Sequence, residues 1–258
     1  ELYSHQGRYS EAEPLHLQAL DLRKQLLGQN HPLVATSLNN LAELYHYQGR
    51  YSEAEPLYLQ ALELTIQLLD QNHPDIATSL NNLAELYSHQ GRYSEAEPLH
   101  LQALDLRKQL LGQNHPLVAT SLNNLAALYH YQGRYSEAEP LYLQALELTI
   151  QLLDQNHPLV ATSLNNLAEL YSHQGRYSEA EPLHLQALEL RQQLLGQNHP
   201  HVATSLNNLA ELYYYQGRYS EAEPLYLQAL EIAVQQLGEN HPLTQTISDN
   251  LSTLLDQS

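Results

Sequence analysis

The chain has 258 residues, with 29 acidic and 11 basic side chains and a formal net charge of −18. A surface that acidic repels nucleic acid and anionic lipid, so neither is an expected partner, and a neutral or basic protein or peptide is favoured. Cysteine, methionine, tryptophan and phenylalanine are absent; no disulfide can form, the core must come from Leu, Ala, Ile, Val and Tyr, and no run approaches the roughly 18 apolar residues of a membrane span.

The segment Gln-Gly-Arg-Tyr-Ser-Glu-Ala-Glu-Pro-Leu occurs six times, with its glycines at Gly7, Gly49, Gly91, Gly133, Gly175 and Gly217, always 42 residues apart. A fixed period of this size is the signature of a stacked repeat array and decides the fold class before any residue is considered singly. A second layer lies over the first. Glu1 to Ala42 is identical to Glu85 to Ala126, and Glu43 to Ala84 differs from Ala127 to Ala168 only at Glu43/Ala127, Asp75/Leu159 and Ile76/Val160. The higher-order unit is therefore 84 residues, and residues 1–258 read as one solenoid domain of about six helix-pair repeats.

Residues 1–6 match the end of a longer segment, Glu85 to Gln90, and so read as a truncated first helix. No signal peptide is visible, and the expected location is the cytoplasm. Ser10 to Leu27 then reads as the first long helix. One complete period, Pro32 to Pro74, shows the recurring elements. From Leu33 to Gln48 the apolar residues Leu38, Leu41, Ala42 and Tyr45 fall at i, i+3, i+4 and i+7, with Val34 and Ala35 upstream, which predicts a helix. Pro32 suits its first turn, and Gly49 its left-handed cap. A second helix follows at once. Ser52 and Glu55 form a Ser-x-x-Glu capping box, Pro56 is placed in the first turn, and Ala54, Leu57, Tyr58, Ala61, Leu62, Thr65, Leu68 and Leu69 make a continuous stripe. That helix should end near Asp70, or near Gly28 and Gly112 in the other repeat type. The last segment, residues 242–256, places Ser248 and Ser252 where other repeats carry Leu and Ala, which predicts a C-terminal capping helix with a polar outer face.

Leu38, Leu41, Ala42, Tyr45, Gly49, Tyr51, Ala54, Tyr58 and Ala61 resemble the tetratricopeptide repeat pattern, in which small residues sit at close helix contacts and large ones fill the gaps. The 42-residue period and its His-Pro-Leu-Val-Ala-Thr-Ser-Leu-Asn-Asn-Leu-Ala phrase are similar to the repeats of kinesin light chains and their bacterial relatives. The resemblance covers nearly the whole chain. It implies an all-α fold, a tetratricopeptide-like α-solenoid that winds antiparallel helix pairs into a right-handed superhelix. It also implies a concave groove lined by the first helix of each pair.

By that correspondence the groove holds Thr36, Asn39, Asn40, Glu43, His46 and Tyr47 and their counterparts. The asparagine pairs are Asn39/Asn40, Asn81/Asn82, Asn123/Asn124, Asn165/Asn166 and Asn207/Asn208. An amide that both donates and accepts suits the backbone of an extended peptide; the alternative is that one or both asparagines of a pair bridge adjacent helices. Glu43, Glu85, Glu169 and Glu211 make the groove acidic, or form a solvated face. Tyr214 and Tyr215 are further candidates for peptide contact. Relatives that grip acidic or C-terminal carboxylate peptides use Lys or Arg in the groove, and this chain has none there. Its two lysines, Lys24 and Lys108, fall on second helices.

No nucleophile–base pair or glycine-rich phosphate loop occurs, and no enzyme activity and no cofactor are expected. Fifteen histidines raise a metal site, but none pair at i, i+4 on a helix, and equivalent ones recur a whole repeat apart, so no metal is expected. His31, His73, His115, His157, His199 and His241 each precede proline and are expected to help start helices; His16, His100 and His184 stand where Tyr58, Tyr142 and Tyr226 pack. The arginines from Arg8 to Arg218 are expected to cap helices and pair with nearby glutamates. The leading reading is a non-catalytic protein- or peptide-binding scaffold. The alternative is an assembly or spacer module that self-associates through an uncapped N-terminal end.

Overall fold

The computed structural model describes residues 9–70 and 72–257, leaving aside the side chain of Ser10. The truncated helix expected over residues 1–6, with Gly7 and Arg8, lies outside the described residues. Among those described there are twelve helices and no strand: α1 (Tyr9–Leu27), α2 (Pro32–Tyr47), α3 (Tyr51–Leu68), α4 (Pro74–His89), α5 (Tyr93–Leu111), α6 (Pro116–Tyr131), α7 (Tyr135–Leu153), α8 (Pro158–His173), α9 (Tyr177–Leu195), α10 (Pro200–Tyr215), α11 (Tyr219–Leu237) and α12 (Pro242–Leu255). They fall into two compact units, Glu1–Arg134 with α1 to α6 and Tyr135–Ser258 with α7 to α12. Within each unit every helix packs on the next in sequence, and the first helices α2, α4 and α6, or α8, α10 and α12, also touch their nearest fellows.

The His-Pro pairs start helices by a specific device. Each histidine is an extended N-cap whose Nδ1 accepts the amide N–H two residues on, as His31 does from Leu33 at 3.2 Å and His115 from Leu117 at 3.1 Å. Proline then occupies the first helical position, where its missing N–H costs nothing. Each first helix from α2 to α10 ends in a Schellman turn: Gly49 N–H donates to the His46 carbonyl at 2.9 Å and Arg50 N–H to that of Tyr45 at 2.9 Å, with Gly49 at φ +71°. The turn is three residues long, so the second helix returns antiparallel.

The capping box is not formed. α3 begins at Tyr51 after Arg50, which makes no side-chain cap, so Ser52 is already in the first turn and Pro56 is the sixth helical residue, in the second turn. Glu55 is committed elsewhere: both its oxygens accept Arg92 Nη1 at 2.9 Å from the next repeat. This clasp recurs. Arg50 binds Glu53 through two bonds of 2.7 Å, reaches Glu13 of the preceding repeat at 2.8 Å, and lies 4.0 Å over the Tyr45 ring, whose hydroxyl also donates to Glu13. These bonds hold the Glu13, Glu53 and Glu95 carboxyls below the usual range.

The predicted stripe of the first helix is buried throughout: Val34, Ala35, Leu38, Leu41, Ala42 and Tyr45. Ala42, Ala54 and Ala61 have no exposed surface, which marks the points of closest helix approach, while Leu38 and Tyr58 fill the space between them. Leu44 and Leu64 are buried as well, although they fall outside the predicted stripes, because a helix inside a stack is covered from more than one side. In the first unit Ile76, Ala77 and Leu80 of α4 pack with Ala103 and Leu106 of α5, with Leu62 of α3 against them; in the second, Val160, Ala161 and Leu164 of α8 pack with Ala187 and Leu190 of α9, with Leu146 of α7 against them.

The second helices end on Gly28, Gly112, Gly196 and Gly238 in the left-handed region, and Asp154 takes the same register at φ +76°. A side chain there costs about 1–2 kcal/mol of backbone strain, partly offset because glycine loses more entropy on folding. Asp154→Gly is expected to stabilise the protein by about 0.5–1 kcal/mol in urea unfolding. Asp70→Gly should be near neutral, because α3 stops one residue earlier on an extended Leu69 and Asp70 escapes positive φ.

Candidate functional site

The expected groove residues lie on one side of the first helices, but they divide by burial. Asn81, Asn165 and Asn207, each the leading asparagine of its pair, are buried; Asn40, Asn82, Asn124, Asn166 and Asn208 are half-buried, as are Asn39 and Asn123. In the second unit both asparagines of a pair bridge helices. Asn208 Nδ2 donates to Asn165 Oδ1 at 3.2 Å, and Asn250 Nδ2 to Asn207 Oδ1 at 3.0 Å. In the first unit Asn81 Oδ1 meets His100 Nδ1 at 3.1 Å, and Asn39 Oδ1 is buried with no partner. Asn39 and Asn40 line a pocket of about 190 Å³ between α2 and α4, with Thr36, Asp75, Thr78 and Ser79.

His46 is a correction. Expected on the groove surface, it is buried, because its ring packs among Tyr51, Tyr58 and His89. Its Nε2 lies 2.6 Å from His89 Nδ1. Histidines of successive repeats therefore do meet. Equivalent histidines recur 42 residues apart, whereas adjacent first helices touch at residues 43 apart. Among the described residues no group of three or more His, Asp or Glu side chains is placed to hold a metal ion.

Glu43, Glu85, Glu169 and Glu211 are all partly exposed on this face. Burial and the charge of Glu43 push the Glu85 carboxyl up to about 6; burial pushes Glu169 up to about 7, with Glu211 adding to the shift and hydrogen bonds from Asn165 and Asn208 opposing it. Tyr47 and Tyr215 are exposed beside their own glutamates, donating to Glu43 at 3.4 Å and Glu211 at 3.2 Å. Tyr214 is placed differently from the expectation: it occupies the register of His46, is half-buried, and turns its ring toward Tyr219 of α11 at 5.6 Å.

Two features escaped the sequence reading. Arg107 and Arg191 are buried cations on second helices, each reaching across to the next first helix: Arg107 Nη1 donates to Leu117 O at 3.1 Å and Ser121 Oγ at 2.8 Å, and Arg191 repeats the pattern with His201 O and Ser205 Oγ. They alternate with Thr65 and Thr149, and accompany buried His100 and His184 as the threonines accompany Tyr58 and Tyr142. The alternation was visible in the sequence as the 84-residue period; that it marks two core chemistries was not.

Helix pairs of this kind, repeated in two stacks that each carry a face of first helices, define a helical-repeat protein. The tetratricopeptide repeat family matches residues 1–67, 75–151 and 159–234, and the chain belongs to that family. Among solved structures it is similar to BtubC (BKLC) from P. vanneervenii, with 27% identity, a TM-score of 0.69, and 89% of this chain and 92% of that one covered. It is also similar to a Podosopora anserina putative kinesin light chain with nearly identical TPR-like repeats, at 29% identity and TM-score 0.61 over 80% of this chain and 98% of that one. A Rap protein complexed with Competence and Sporulation Factor shares the fold at 16% identity and TM-score 0.64, over 97% of this chain and 73% of that one. Among curated proteins none matches. No helix among the described residues is long and apolar enough to cross a membrane.

The buried titratable groups act in opposite directions. Burial lowers the imidazoles of His46, His100 and His184 to about 4, below their ordinary 6.5. Their contribution to stability is present above pH 6.5 and is lost as pH falls toward 4. Glu85 and Glu169 are raised, so their contribution is present below pH 4.5 and is lost as pH rises through 6 to 7. His100→Tyr, matching the buried Tyr58, is expected to weaken the acid loss of the urea midpoint between pH 6.5 and 4.5. Glu85→Gln should raise the midpoint at pH 8 and change it little at pH 5.

Proposed function

We propose that the protein is a non-catalytic scaffold that binds a protein or peptide segment, neutral or basic, along the face formed by its first helices. The observation that carries this reading is chemical. That face sets exposed tyrosines, Tyr47, Tyr131 and Tyr215, among half-buried amides and carboxylates, and the first helices contain no lysine or arginine. Aromatic surface with adaptable polar groups suits a peptide, and the carboxylates suit one carrying positive charge. The contact set on this reading is Asn39, Asn40, Glu43, Asn82, Glu85, Asn124, Asn166, Glu169, Asn208, Glu211 and Tyr215. Asn123, half-buried like Asn39, joins that set, while Asn81, Asn165, Asn207 and Tyr214 support it from beneath. Members of the tetratricopeptide repeat family commonly serve as protein-interaction scaffolds, and the Rap protein of the same fold was crystallised with a bound factor. The net charge of −18 disfavours nucleic acid and anionic membranes.

Selection from a displayed random-peptide library on the wild-type chain and on Asn124→Ala/Asn166→Ala tests the reading. Neutral or basic peptides should be enriched on the wild type and lost on the variant. Failure to enrich, or enrichment blind to the substitutions, would remove the groove.

A second reading, self-association through α1, draws on Leu22 and Leu26, which are 52% and 73% exposed, while Leu64 and Leu106 at the register of Leu22 are 7% and 9% exposed. On this reading sedimentation should show a concentration-dependent larger species that Leu22→Glu/Leu26→Glu abolishes. A species of constant mass in both proteins would dispose of it.

A further inference from the structure

A small pocket in the second unit is built differently from its counterpart in the first. It lies between α8, α9 and α10, measures about 20 Å³, and is lined by Glu169, His184, Asn208, Glu211 and Tyr215, with Ser172, His173 and Leu212 completing it. His184 is 1% exposed, and its Nδ1 is buried with no partner. The counterpart 84 residues earlier is satisfied, since His100 Nδ1 meets Asn81 Oδ1. In the second unit the matching Asn165 is drawn away: its Nδ2 donates to Glu169 Oε1 at 3.1 Å and its Oδ1 accepts from Asn208. Asn208 also donates to Glu169 Oε1. Both bonds to Glu169 fall on Oε1, which leaves Oε2 for a further donor. Glu211 accepts only the Tyr215 hydroxyl, at 3.2 Å. The one sequence difference between the two sets of lining residues is Glu211, where the first unit has Ala127.

We infer that this pocket receives a primary ammonium group, carried by a lysine side chain or by the N-terminus of a peptide lying on the first-helix face. The inference rests on the peptide-binding reading and names one of its subsites. Glu169, Glu211 and His184 line the pocket, with Glu169 Oε2 and His184 Nδ1 left as acceptors by the bonds around them, and an ammonium has three N–H donors to offer. The volume holds one water-sized group, which fits an ammonium head and excludes the planar guanidinium. Charge agrees. Arg191 of α9, whose charge acts on Glu169, is engaged with His201 O and Ser205 Oγ, so two carboxylates share the pocket without a paired cation. Burial and the Glu211 charge accordingly hold the Glu169 carboxyl up at about 7, and an arriving cation relieves that cost.

The test is an NMR titration of the full chain at pH 8 and low salt with four probes: Nα-acetyl-lysine methylamide, its norleucine and arginine counterparts, and alanine methylamide, which presents only an α-ammonium. Saturable shifts of the His184 and Tyr215 signals with the lysine probe, at least tenfold weaker with norleucine and arginine, would support the pocket. A response to alanine methylamide alone would support it with the chain terminus as source. Glu211→Ala should weaken binding at least tenfold, and this variant folds because Ala127 already occupies the same register. An equal response to norleucine or arginine, no saturable shift at His184, or unchanged binding in Glu211→Ala would overturn it. Library peptides enriched on the face without lysine, and blind to Glu211→Ala, would sink this pocket and leave the broader reading intact; ammonium binding without any enriched peptide would do the reverse.

Discussion

The whole structure depends on how closely the helices meet at alanine. Ala42, Ala54 and Ala61, and their counterparts from Ala84 to Ala229, are wholly buried, and at such crossings one added methylene has nowhere to go. Close approach makes the helix pair a rigid plate, but a plate cannot bury both of its sides alone. It needs a neighbouring repeat, as Leu62 of α3 packs on the α4–α5 core and Leu146 of α7 on the α8–α9 core, so stability is shared between neighbours. The histidine cap, the Schellman glycine and the arginine clasp all serve that one requirement. They fix where each helix begins, where it turns, and how far it lies from the repeat before it. The clasp does the last of these directly, since Arg50 holds Glu53 of its own repeat and Glu13 of the previous one with the same guanidinium.

What could be read from the sequence was whatever is local. The 42-residue period, the helix pairs, the His-Pro starts and the glycine turns depend on residues within one turn of each other, and the structure has them. The capping box failed for a non-local reason. Ser52 and Glu55 satisfy the pattern, yet the glutamate is worth more to Arg92, 37 residues on, than to its own helix end. The lateral contacts of the first helices were equally hidden. His46 meets His89, Asn165 meets Asn208, and Asn207 meets Asn250, each across 43 residues rather than 42. The extra residue is the stagger between neighbouring helices, and nothing in a period of 42 announces it. The buried Arg107 and Arg191 were missed because a charged residue on a helix normally marks its wet face.

The same stagger explains why one motif has two behaviours. Asn81 and Asn165 share identical neighbours from Ala77 to Leu104 and from Ala161 to Leu188, yet one pairs with a histidine and the other with a glutamate. The difference comes from the following first helix, which presents Ala127 in one unit and Glu211 in the other. On successive repeats Glu43 raises the cost of ionising Glu85, and Glu211 that of Glu169, and the alanine breaks the series between them. In a nearly uniform array the chemistry of a residue is thus set by the residue one repeat away.

This gives repeat duplication a particular functional consequence. Copying 84 residues copies the scaffold without loss, because the core contacts are the same at every step. It also multiplies a face of tyrosines, amides and carboxylates that has no positive charge of its own. A single exchange on that face, alanine for glutamate at 127, leaves the alanine crossings untouched and changes the acceptors it presents. The exposed chemistry can then vary from repeat to repeat at almost no cost to folding, because the alanines that hold the helices together and the partly exposed carboxylates lie on different sides of the same helix.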